Sequence, residues 1–95
     1  SSDVRLQALR CLTIVPKDPA VLDVMIGALD DADEEVRREA VTLLRKGADQ
    51  VFGYLPADDP DARRAAAGQW RQWYDTNRER LVWNDESRRF EPQDL

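Results

Sequence analysis

Apolar positions along the chain return at helical spacing. Val36, Ala40, Leu43 and Leu44 are separated by charged residues, which is the stripe of an amphipathic helix. Asp33 stands at its N-cap position, and Glu34 and Glu35 fill the first turn, where the helix dipole favours anions. Arg45 and Lys46 occupy the last turn and Gly47 is expected as the C-cap. Upstream, Asp18-Pro19 reads as an N-cap followed by proline at the first helical position, and 19–29 carries Val21, Leu22, Met25, Ile26 and Leu29. Asp30-Asp31-Ala32 is too short for anything but a tight turn, so these two helices should pack as an antiparallel hairpin. A helix over 2–15, stopped before Pro16, is expected ahead of them.

Further along, Asp59-Pro60-Asp61 opens a long helix over 59–80, with Ala62, Ala66, Trp70, Trp73 and Leu81 facing inward. Between 47 and 58, Gly53 and Pro56 indicate a loop, with one helical turn around 50–52. Leu81-Val82-Trp83 and Arg88-Arg89-Phe90 flank a polar turn at 84–87, which predicts a β-hairpin or extended tail over 81–91. The expectation is a single all-α domain over 1–95 with a short C-terminal hairpin.

Composition narrows the chemistry more than it names a task. Area scaling for 95 residues allows roughly 65% of the surface to be buried, a modest core. Nineteen acidic and fourteen basic side chains leave a net charge of −5, so phosphate backbones and anionic lipid have no general attraction to the chain. With no histidine, the usual general base and imidazole metal ligands are missing. One cysteine makes neither an internal disulfide nor a thiolate zinc site. No apolar run approaches the roughly 20 residues that cross a bilayer.

The helices repeat one another. Asp3-Val4-Arg5-Leu6-Gln7-Ala8-Leu9 matches Glu35-Val36-Arg37-Arg38-Glu39-Ala40-Val41, and Asp61-Ala62-Arg63-Arg64-Ala65-Ala66-Ala67 matches both. Each match has an acidic residue, a small apolar one, Arg, and then Ala at the middle of the packed face. With Leu29-Asp30-Asp31-Ala32-Asp33-Glu34-Glu35-Val36-Arg37 as an inter-helix turn, the chain resembles the HEAT-repeat family, including its bacterial members. That resemblance covers roughly the first 67 residues. It implies an antiparallel helix-hairpin solenoid fragment: 1–15 as the second helix of a truncated repeat, 18–47 as a complete repeat, and the aromatic-rich 59–80 helix as a cap. It further implies a hydrogen-bonded ladder between repeats through Asp31 and Arg37. Arg5 and Arg63 match the arginine position, whereas Ala57 stands where the third turn needs its Asp, so the ladder is expected to lapse there.

Candidate sites follow from this register. The acidic run Asp30, Asp31, Asp33, Glu34 and Glu35 lacks the spacing of a calcium loop and reads as capping. Trp70 and Trp73 fall on the apolar face and read as core, with Tyr74 and Trp83 toward its rim; the other reading is an aromatic ligand cage. Cys11 aligns with Leu43 and reads as a small buried hydrophobe. Arg38, Arg45, Arg64, Arg71 and Arg78 are expected on one exposed ridge, either solvated or a docking surface for an acidic segment. Leu6 and Ile14 are apolar where their counterparts are polar, which marks the N-terminal edge as an interface to upstream repeats of a longer chain or to a second copy in a homodimer.

The function expected is a non-enzymatic protein–protein interaction scaffold or terminal cap of a helical-repeat protein, with no cofactor and no catalytic or metal residues. Nucleic acid and membrane are disfavoured. The alternatives are binding of an anionic ligand or nucleic acid through the arginine ridge, or a regulatory subunit related to HEAT-like chromophore lyases.

Overall fold

Helices form where capping chemistry and an apolar stripe coincide. The computed structural model describes residues 2–12, 18–48 and 50–93. In order these form α1 (Ser2–Cys11), α2 (Ala20–Gly27), a 3-10 turn (Ala28–Asp30), α3 (Glu34–Ala48), α4 (Pro60–Asn77), β1 (Leu81–Asn84) and β2 (Arg89–Pro92). Aspartate carboxylates accept N–H groups at the start of three of the helices, although the N-cap residue of α2 is Pro19 rather than Asp18. The Asp18 carboxylate accepts from Ala20 N–H at 2.9 Å, Asp33 from Glu35 N–H at 2.8 Å, and Asp59 from Ala62 N–H at 2.9 Å.

Several boundaries differ from the sequence expectation. α3 runs through Gly47 to Ala48, because Gly47 lies inside the packed helix with Leu22 alongside. α4 ends at Asn77 and 78–80 form a turn. No helical turn forms at 50–52; the segment is extended and buries Tyr54 instead. The proposed end of the first helix at 12–15 lies largely outside the described residues.

α3 is the centre of the fold. α1, α2, the 3-10 turn and β2 all pack against it, while α4 packs on α2 and the 3-10 turn. Accordingly α3 buries residues around much of its circumference: Val36, Arg37, Ala40, Val41, Leu43, Leu44 and Ala48. Leu22 and Leu29 from the α2 side, Leu44, Tyr54 and Trp70 form the least exposed part of the core. Each such side chain contributes about 1.5–3 kcal/mol on burial, so this cluster is the main source of stability.

The long helix takes a different place from the one its sequence match suggests. Residues 61–67 align with α1 and α3, but in the fold α4 lies beside α2, and β2 occupies the flank of α3. The hairpin buries Leu81 and Phe90 where β2 packs on α3.

β1 and β2 are antiparallel, with Leu81 opposite Pro92 and Trp83 opposite Phe90. Asn84 organises the connecting turn by accepting from Glu86 and Ser87 N–H, at 2.9 and 3.2 Å. Arg88, at φ 58°, supplies the left-handed residue that closes it. The molecule is thus mostly helical, with one small two-stranded sheet. Among the described residues no helix is long and apolar enough to cross a membrane.

Candidate functional site

Three arginines at matching sequence positions hold the turns in register. Arg5 on α1 donates to the Asp31 carboxylate at 2.5 and 3.0 Å, reaching from one helix to the turn before the next. Asp31 also accepts from Asp33 N–H at 2.9 Å. Arg5 is the largest cause holding the Asp31 carboxyl below its ordinary pKa, with partial burial opposing it.

Arg37, buried at 8% exposure, donates to the carbonyls of Asp31 (2.8 Å) and Ala32 (3.1 Å), and twice to that of Pro56 (3.2 and 3.1 Å). Arg37 therefore does not bond the Asp31 carboxylate; it spans from its own turn to the following one. The sequence leaves no Asp at position 57, and a backbone carbonyl takes that role. Arg63 donates to Asp58 O at 3.0 Å, matching the Arg37–Ala32 bond five residues back along the chain.

Beside this network lies an open groove of about 280 Å³ between α1 and α2. Buried Leu9 and Val36 line its depth, Ala8, Leu12, Val24 and Ala28 its walls, and the Arg5–Asp31 pair one part of its margin. It exists because α2 is apolar almost all round, Asp23 being its single charged residue. Leu22, Met25 and Ile26 are buried. Val24, 55% exposed, and Ala28 are left to the groove. The apolar excess of α2 is the sequence signal for this site.

Position by position, α1 and α3 carry the same face but not the same cover. Val4 is 67% exposed, whereas its counterpart Val36 is 1% exposed. Ala8 is exposed and Ala40 fully buried. Cys11 is exposed, which corrects the expectation of a buried thiol, while Leu43 is buried. The cause is that α2 covers α3 and nothing described covers the equivalent side of α1. Leu6 is half-buried against the core, and Ile14 lies outside the described residues.

The five ridge arginines fall into two settings. On α3, Arg38 pairs with Glu34 at 2.7 Å, and Arg45 donates to Tyr54 O at 2.8 Å. On α4, Arg64 pairs with Asp61 at 3.1 Å, and Arg71 pairs with Asp23 of α2 while lying 6.0 Å from the Tyr74 ring centre. Arg64 and Arg71 also border a second opening of about 240 Å³, with Asp30 and the helix glycines Gly27 and Gly68. Arg78 follows α4, its backbone N–H donating to Tyr74 O at 2.8 Å. Because α4 sits beside α2, these side chains are spread over different helix junctions, most with an acceptor in place.

The aromatic residues divide between core and margin. Trp70 is fully buried, edge-on to Phe52 (ring centres 4.9 Å apart) and to Trp73 (6.1 Å), and Trp73 is half-buried. The Trp70 indole N–H is buried without a hydrogen-bond partner among the described residues. Tyr74 is buried, and desolvation raises its pKa above the ordinary tyrosine value. Trp83 stacks edge-on against Phe90 at 5.1 Å, with its indole N–H on Asp85. The sequence reading missed Tyr54, whose hydroxyl donates to Leu29 O at 2.6 Å and whose pKa burial pushes up. Its signal was the alternation of Phe52, Tyr54 and Pro56 in a segment read as loop.

The acidic run at 30–35 is spent on capping and pairing: Asp31 on Arg5, Asp33 on Glu35 N–H, and Glu34 on Arg38. Among the described residues no three acidic or thiol groups converge as a metal cage. Comparison with protein-family models, curated proteins and solved structures found no match.

Proposed function

We propose that the chain is a non-enzymatic protein–protein interaction scaffold, built as the terminal part of a HEAT-like helical-repeat solenoid. In this reading α1 is the second helix of one repeat, α2 and α3 form a complete repeat, and α4 with the hairpin is the cap. The partner is a protein, which includes further repeats of a longer chain. One observation carries the reading: Val4, Ala8 and Cys11 on α1 are exposed where their counterparts Val36, Ala40 and Leu43 on α3 are buried. An apolar helix face with a groove beside it is where a soluble domain meets another polypeptide. The arginines support an anion-binding role less well, since most already have acceptors and the chain carries a net charge of −5.

An apolar dye tests the reading without assuming any partner. Nile red should bind the folded chain and be released when Ala8→Lys and Val24→Lys are combined, with the circular dichroism of both proteins alike. A folded chain that binds no dye, or binds it equally after both substitutions, removes the scaffold proposal. Retention on a phosphate resin that falls steeply with salt would replace it with the anion reading.

A further inference from the structure

We draw no further inference here: the strongest candidate, the apolar groove between α1 and α2 with Leu9 and Val36 in its depth, carries nothing beyond the reading above, because nothing in the structure shows what covers it.

Discussion

α1 and α3 are two versions of one helix in different surroundings. Both carry an acidic residue, Val, Arg and a central Ala in the same register. α3 has neighbours on several sides and buries seven residues, including an arginine. α1 packs against α3 alone among the helices in substantial contact, and among its described residues Leu9 is the one buried. The difference shows that a shared sequence pattern sets what each position can do, whereas its neighbours set what each position contributes. An alanine between two helices is a spacing element; the same alanine at an open edge is a surface residue.

Substituting the same position in both helices gives the largest contrast. Ala40→Glu places an unpaired carboxylate where exposure is zero, so a loss of more than about 3 kcal/mol is expected, enough to unfold much of a domain this small. Ala8→Glu should change stability by no more than about 0.5 kcal/mol, because the side chain reaches water. Urea denaturation of the two variants checks both. Equal losses would mean that α1 is covered as fully as α3.

The arginines give a smaller contrast. Arg37→Ala leaves the carbonyls of Asp31, Ala32 and Pro56 without their donor, which should cost about 1–3 kcal/mol. Arg5→Ala removes an ion pair whose arginine is half-exposed and leaves Asp31 its bond from Asp33 N–H, so a smaller shift of the urea midpoint is expected. Were Arg5 the more damaging of the two, the link between α1 and the turn would outweigh the buried one around α3.

Acid titration should show the smallest effect. Arg5 lowers the Asp31 pKa in the folded chain below its ordinary value of 3.8. The folded state then binds this proton less readily than the unfolded state does. Its contribution to stability is present above that ordinary value and is lost as pH falls through the lowered one. Asp31→Asn should therefore reduce the loss of stability on the acid side and leave its slope near neutrality unchanged. An acid limb identical to that of the unmodified chain would show that the Arg5–Asp31 contact is not maintained in solution.

Much of the helical organisation was legible because its signals are local. Asp33, Glu34 and Glu35 ahead of a stripe at Val36, Ala40, Leu43 and Leu44 specify a helix start with little help from elsewhere, and Asp59-Pro60 does the same for α4. The hairpin was legible too, although its strands sit one residue later than expected at the second edge, since Asn84 and the left-handed Arg88 place the turn at 85–88. Gly47 misled because a glycine near a helix end fits both a cap and an interior position packed beside Leu22. The groove was only half visible. The edge expected at Leu6 and Ile14 does not locate it, since Leu6 is half-buried against the core and Ile14 lies outside the described residues; Cys11 and Leu43 share a register and only contact distinguishes them.

Periodicity, caps and turn chemistry, which act over a few residues, thus determined by themselves where helices and strands lie and which face of each is apolar. Tertiary structure alone decided which apolar faces find cover. It set α4 beside α2 and β2 beside α3, although the match at 61–67 points to α3 for the long helix. It gave Arg37 the Pro56 carbonyl where the sequence offers no carboxylate, and it folded Tyr54 onto Leu29 from a segment read as loop. Burial depends on residues far apart in the chain meeting in space, and such meetings leave no mark on local spacing. The open side of α1 is therefore invisible in its own residues, which are nearly those of α3, and appears only where a neighbour is wanting.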